Sequence, residues 1–306
     1  RLLLATTRVH PPPMPRAGIV TVAGKPNAGK STLLNRIVGE KLSIVSPKPQ
    51  STRDRIVGIH SAGDTQMVLL DTPGLLAPRY ELQRAMRATA LRALHEADVV
   101  IHLVDATDDD RTPLAEAAGL DQPPRAPVLA VYNKIDRLDA GARAALAERH
   151  PGALLVSATS GEGVDALLAA VRERLPESPF LYPDDELSVQ TLRFFAAELV
   201  RETALEQLEE ELPYSVACQV EEFREDRVPV YIRAVLYVER ESQKRILIGA
   251  GGARVRSIGR AARVKIETLV GQAVYLDLWV KVLPNWRKNA VALRRFGYRP
   301  SEESPS

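Results

Sequence analysis

Apolar and polar positions over the first 175 residues follow two alternating rhythms. Apolar runs that read as strands cover 18–23, 55–60, 66–71, 98–104, 127–132 and 153–156. Between them, apolar residues recur at three- and four-residue spacing and predict helices over 30–39, 80–95, 113–120, 139–149 and 163–175. Such alternation predicts an α/β fold, a mostly parallel sheet with helices on both faces. Residues 40–55 break the rhythm. They contain Pro47 and Pro49 and show no period, and a long unpatterned loop inside a compact domain is often functional.

After the proline-bearing stretch 176–185 the order of elements changes. A long amphipathic helix is predicted over 189–212, strands over 215–223 and 228–240, and a glycine-punctuated helical region over 243–270. A strand over 273–283 and a basic helix over 286–297 follow. The expected layout is an unstructured extension over 1–15, an α/β domain over 16–178, a linker over 179–189, an α+β domain over 190–300 and a tail over 301–306. The extension holds only Leu2-Leu3-Leu4-Ala5 and a proline run, too little apolar core for a secretory signal, and Met14 is the expected translation start.

Four motifs fall where predicted strands end. Gly24-Lys25-Pro26-Asn27-Ala28-Gly29-Lys30-Ser31 lies between an apolar run and a predicted helix, the setting of a phosphate-binding loop. Asp71-Thr72-Pro73-Gly74, Asn133-Lys134-Ile135-Asp136 and Ser157-Ala158 follow in order. A triphosphate suits bare backbone N–H groups at a helix N-terminus, and glycine lets that backbone come close. Lys30 would reach the β- and γ-phosphates, and Ser31, next to Thr32, would ligate Mg²⁺. Asp71 would hold the same metal through water, while the Gly74 backbone would sense the γ-phosphate. In this motif order, Asp136 accepts from the guanine N1 and N2 hydrogens, a donor pair adenine lacks. Backbone N–H groups near Ser157-Ala158 would meet guanine O6. The set predicts a GTP site.

Composition narrows the class. At 306 residues, with 45% hydrophobic and 26% charged residues, the chain can build two ordinary cores. Its one cysteine, Cys218, excludes an internal disulfide, and no apolar stretch is long enough to span a bilayer. The net charge of +2 conceals an asymmetry: over 240–300, 14 Lys and Arg face 3 Asp and Glu. A basic block of that density points to a polyanionic partner. Inside it, Ile248-Gly249-Ala250-Gly251-Gly252 matches the Gly-x-x-Gly loop of KH domains, which clamps about four single-stranded nucleotides. Gly249, Ala250, Gly251 and Gly252 would meet phosphates, with charge from Arg254 and Arg256, because the loop itself lacks the Lys or Arg that relatives often place there.

Further segments sharpen this reading. Pro49-Gln50-Ser51-Thr52-Arg53, Ile56-Val57-Gly58-Ile59, Glu211-Leu212-Pro213-Tyr214-Ser215, Leu278-Trp279-Val280-Lys281-Val282 and Ala292-Leu293-Arg294-Arg295-Phe296-Gly297-Tyr298 join the motifs above. Over residues 16–299 the chain resembles the Era family of bacterial GTPases, a Ras-like GTPase domain followed by a type II KH domain. The resemblance implies a slow GTPase that binds 16S rRNA near its 3′ end and acts in maturation of the 30S subunit. It also implies a monomer in the cytoplasm with some peripheral association with the inner membrane face. Carried across by position, Thr52 resembles the switch threonine that completes Mg²⁺ coordination, with Ser51 as the other candidate. Lys30, Thr52 and Gly74 are then the catalytic set. Leu75 stands where Ras-type enzymes carry a water-orienting glutamine. Asn27 resembles the asparagine of potassium-activated relatives, and a purely loop-stabilising role is its other reading. Two other functions are weighed: an RNA-binding module that uses GTP only as an occupancy signal, and a membrane-associated signalling GTPase.

Overall fold

The computed structural model describes residues 14–108 and 112–299, so the expected extension before residue 14 and the tail from 301 lie outside the described residues. The apolar runs become β1 (Arg16–Ala23), β2 (Ile56–Ala62), β3 (Thr65–Asp71), β4 (Val99–Asp105), β5 (Val128–Asn133) and β6 (Leu154–Leu155). They form one sheet in the order β2-β3-β1-β4-β5-β6, parallel throughout except for β2 against β3. Helices α1 (Lys30–Val38), α2 (Glu81–Glu96), α3 (Leu114–Ala118), α4 (Ala140–Arg149) and α5 (Val164–Arg172) link the strands. Leu33 of α1 and Leu167 of α5 bury one face with Val20, Leu69 and Ile101. From the other face α2 and α3 meet Val100, and α4 meets Val104. That two-sided burial is why the strand runs read as nearly continuous apolar segments.

The chain continues through α6 (Leu192–Gln207), α7 (Leu212–Ser215), β7 (Ala217–Arg224), β8 (Val230–Val238), α8 (Glu241–Ile248), α9 (Ala253–Val270), β9 (Val274–Val282) and α10 (Ala290–Arg295). The second sheet has the order β7-β8-β9, with β7 antiparallel and β9 parallel to β8. Ala204, Leu247, Ile258 and Ala262 from α6, α8 and α9 cover one of its faces. On the opposite face, Val235 and Tyr237 pack with Trp286 and Leu293, and with Leu82 and Met86 of α2. Helix α2 and the second sheet therefore share a third core.

Three boundaries moved for local reasons. Helix α6 begins at Leu192 because Thr191 caps it, its hydroxyl accepting from the Phe194 N–H. The basic helix expected over 286–297 is split, since the Asn289 side chain accepts from the N–H groups of Val291 and Ala292 and starts a new helix after a 3₁₀ turn. The 179–189 stretch is a fixed strap. Leu187 O accepts from Ile59 N at 2.8 Å, and the Gln66 amide bonds Leu181 N and both backbone groups of Tyr182. It thereby supplies partners to the open edge of β2.

Candidate functional site

The phosphate-loop motif folds as the sequence order demands. Gly29 adopts a left-handed conformation (φ 97°) at the start of α1, and no side chain caps the helix. Its first N–H groups are left facing outward, a ready anion site. Lys30 Nζ donates to the carbonyls of Gly24 at 3.2 Å and Lys25 at 2.9 Å. Burial pushes this ammonium down to about 8, with Asp71 opposing the shift. Burial pushes the Asp71 carboxyl up as well, against the pull of Lys30, Ser31 and Thr52. Two opposite charges held this dry strain toward neutrality.

Ser31, Thr52 and Asp71 converge from three separate segments. Ser31 Oγ donates to Asp71 Oδ2 at 2.6 Å, and Thr52 Oγ1 lies 3.0 Å from Ser31 Oγ and 3.4 Å from Asp71 Oδ2. Asp71 Oδ1 is buried with no hydrogen-bond partner. Ser51, the other candidate, also lines the cleft described below, and its carbonyl accepts from Arg201. Gly74 is required by close approach: a Cβ there would stand 2.7 Å from the backbone nitrogen of Pro26. Leu75, by contrast, is buried in the core with Ala90 and Leu94.

A cleft of about 550 Å³ runs from the phosphate loop to the ends of β5 and β6. Pro26, Asn27, Gly29, Lys30, Ser31, Thr32, Thr52, Gly74, Asn133, Lys134 and Asp136 line it. The other motif residues support it from behind. Thr72 Oγ1 donates to Val22 O at 3.0 Å, Ser157 is fully buried, and Ala158 N donates to Asn133 Oδ1 at 2.9 Å. Asn133 Nδ2 in turn donates to Ala28 O at 2.8 Å, tying the base end of the cleft to the phosphate loop. Thr159, which sequence reasoning missed, is the member of that turn lining the cleft. Asp105 was missed too: it closes β4 and pairs with Lys134 at 2.5 Å. A carboxylate ending a strand beside the Asn-Lys motif was the available signal.

The Gly-x-x-Gly loop joins α8 to α9. A Cβ on Gly249 would sit 3.0 Å from the Arg254 nitrogen, while Gly252 is left-handed (φ 80°) and fully open apart from the mobile end of Arg256. Arg254 Nη1 donates back to Ile246 O at 3.1 Å, so this side chain is partly engaged in the helix junction. Arg256, Arg260 and Arg263 of α9 face Tyr275, Leu276 and Leu278 of β9 across a groove of about 330 Å³. One wall is cationic and the other apolar or aromatic, the combination that holds phosphates and receives bases.

Comparison with known proteins decides the family. Residues 19–134 match the 50S ribosome-binding GTPase family and residues 211–287 match the KH domain. GTPase Era of Geobacter metallireducens is 44% identical over 291 residues, covering 92% of this chain and 98% of that protein. GTPase Era of Ectopseudomonas mendocina is 43% identical over 297 residues, covering 94% and 98%. The chain belongs to the Era family. It is a GTPase with a Ras-like phosphate-loop domain and a C-terminal KH domain. An Aquifex aeolicus Era variant bound to GDP and AlF4⁻ superposes with a TM-score of 0.85 at 37% identity, covering 93% of this chain and 99% of that one. Era in complex with MgGDPNP and nucleotides 1506–1542 of 16S ribosomal RNA gives the same TM-score, identity and coverage.

Proposed function

We propose that this Era-family GTPase binds 16S rRNA near its 3′ end and serves maturation of the small ribosomal subunit, with GTP hydrolysis timing its release. Ribosomal RNA as substrate sets that work in the cytoplasm. The observation that carries the nucleotide half is the convergence of the Ser31 and Thr52 hydroxyls on Asp71 Oδ2, beside a buried Oδ1 that has no hydrogen-bond partner. That oxygen set suits a small hard cation, and Mg²⁺ would be held by Ser31 and Thr52 directly and by Asp71 through water. Bound there, Mg²⁺ offsets the charge of the β- and γ-phosphates.

Lys30 would cradle those phosphates, the Gly74 N–H would face the γ-phosphate, and Asp136 at the exposed rim would read guanine. Asn133 and the 157–159 turn shape the base pocket. Asn27 Nδ2 donates to Pro47 O at 3.0 Å; turned over, the amide would set its own oxygen beside that carbonyl to hold K⁺. The buried Leu75 supports a slow intrinsic rate, since no side chain orients water from that position.

The RNA half rests on the arginine-lined groove beside Gly249 to Gly252. A monomer and peripheral contact with the inner membrane face, both implied by the resemblance, complete the proposal; anionic vesicles should compete with RNA for the basic groove. Two measurements test the whole. GTP turnover should require Mg²⁺ and run faster in K⁺ than in Na⁺ at equal ionic strength. Crosslinking in cell extract should map the bound RNA to the 3′ end of 16S rRNA, and crosslinks scattered over unrelated RNAs would overturn that assignment.

A further inference from the structure

The loop between α1 and β2 carries Thr52, yet most of its strongest grips come from the C-terminal domain. Lys48 Nζ donates to the carbonyls of Leu205 and Leu208 at the end of α6. Glu202, whose side chain is 1% exposed, accepts from Lys41 Nζ at 2.7 Å and from Val45 N at 3.3 Å. Closest to Thr52, the contacts tighten on both flanks. Arg201 Nη2 donates to Ser51 O at 2.6 Å. On the other side Arg53 reaches into the C-terminal domain, donating to Val216 O at 2.6 Å, Tyr214 O at 3.1 Å and Pro213 O at 3.3 Å, with its guanidinium over the Trp286 ring.

Both arginines are buried, Arg53 at 4% and Arg201 at 1% exposure. Burying a guanidinium is costly unless its donors are used. Arg201 uses Nε and Nη2, which Glu198 also binds at 2.8 and 2.5 Å and so fixes its aim, while Nη1 stays buried without a partner. Arg53 is pinned by carbonyls that sit on α7 and on Val216 just before β7, not on its own domain. The guanidinium spreads its donors over a rigid, pre-organised fork that reaches all three acceptors, whereas an ammonium would have to gather them around one nitrogen.

We infer that Arg53 and Arg201 are positioning residues for the GTPase reaction: with the C-terminal domain as their anchor, they hold the backbone on either side of Thr52 so that its hydroxyl meets Ser31 and Asp71. The inference rests on the proposed role of Thr52 in binding the metal of the triphosphate complex. A GDP complex makes no use of Thr52, so the two arginines act on one nucleotide state only. The C-terminal domain is thus part of the nucleotide switch, in addition to being an RNA module.

A double-mutant cycle tests this on the full chain. Affinities for a non-hydrolysable GTP analogue and for GDP, each with saturating Mg²⁺, are measured for the parent, Arg201→Ala, Thr52→Ala and the double variant. Loss of one charge-assisted hydrogen bond should weaken analogue binding by about tenfold in Arg201→Ala, with GDP affinity within about twofold of the parent. In the Thr52→Ala background the same change should cost less than about twofold, because the group being positioned is gone. Equal losses for both nucleotides, or a full further tenfold loss on top of Thr52→Ala, overturn the inference. If Thr52→Ala leaves analogue affinity unchanged, the reading of Thr52 itself fails, and a selective effect of Arg201→Ala would then have to act elsewhere. Arg201→Lys and Arg53→Lys, which keep the charge and the packing stem, run through the same cycle should the alanine variant not fold.

Discussion

The nucleotide cleft and the groove proposed for RNA are built in opposite ways for the same task, holding a polyanion. In the cleft, charge is scarce and dry: Lys30 and Asp71 are buried, and each is pushed toward its neutral form. In the groove, charge is plentiful and wet, spread over arginines at the solvent edge of α9. A buried site gains strength from low dielectric and demands close geometry, whereas an exposed one depends on number and tolerates displacement. One substitution should therefore empty the cleft, while the groove should lose affinity by steps.

The sharpest break is Gly74→Ala. Its Cβ would stand 2.7 Å from Pro26 N, a backbone atom that cannot swing away. The loop that follows Asp71 would have to shift, and a 1 Å misplacement at a reacting centre costs about 100-fold. We expect GTP turnover to fall by about that factor while RNA affinity stays within about twofold of the parent. Turnover kinetics beside RNA binding on one preparation check it, and near-parental turnover would show that the cleft is less tightly built than its contacts.

Gly252→Asp makes the reciprocal cut. Gly252 is left-handed at φ 80°, and the only neighbour a Cβ would meet is the flexible end of Arg256. Aspartate tolerates that backbone better than most residues, so the fold should survive. The carboxylate would repel phosphate and pair with Arg256, and we expect single-stranded RNA affinity to drop by roughly tenfold to hundredfold. GTP affinity should hold. Unchanged RNA binding by the folded variant would remove this loop from the interface.

Between the two sites stands Glu202, which accepts from Lys41 of the switch loop and, at 3.0 Å, from Lys265 of the RNA-facing helix α9. Burial favours its protonated form, but the two ammonium groups outweigh burial and hold its pKa below the usual carboxylate range. With the folded value depressed, its stabilisation is present above the unfolded pKa of about 4.3 and disappears as pH falls through the folded value. Glu202→Gln should thus be less stable than the parent by about 1.5 kcal/mol at pH 7. That gap should close on acidification below about pH 4. Denaturant unfolding at several pH values checks this, and a gap that persists in acid would mean that Glu202 acts by packing alone.

How much of this was legible beforehand follows the same division. The cleft was readable because its parts are short, contiguous and tied to strand ends; Gly24 to Ser31 needs only its own strand and helix to be recognised. What was missed lies where recognition is indirect. Thr159 carries no distinctive side-chain chemistry, and Asp105 meets the motif through its ion pair with Lys134. The stretch over 179–189 looked like a linker because its hydrogen bonds use backbone groups and the Gln66 amide, which leave no periodic trace. The core shared by Leu82, Met86 and Trp286 was invisible for a related reason: apolar residues predict burial but not the partner. Arg53 illustrates the limit, since a lone arginine after a threonine says nothing of three carbonyls some 160 positions away.

The finest test separates two arginines that the sequence treats alike. Arg254 donates to Ile246 O at 3.1 Å and closes the junction between α8 and α9, while Arg256 lines the groove. That bond takes one of five guanidinium N–H groups but ties the side chain to the helix junction, so Arg254 is less free than Arg256 to follow a phosphate and we expect its contribution to RNA binding to be the smaller. Arg256→Ala should weaken single-stranded RNA binding several-fold and lower the slope of log affinity against log salt by about 0.7, the loss of one phosphate contact. Arg254→Ala should shift affinity by less than about twofold and leave the salt slope unchanged, with a modest loss of thermal stability as its signature. Titrations at four or more salt concentrations resolve the two slopes. Equal slopes for the two variants would mean that Arg254 meets a phosphate as Arg256 does, and that the RNA track extends from the groove to the α8–α9 junction.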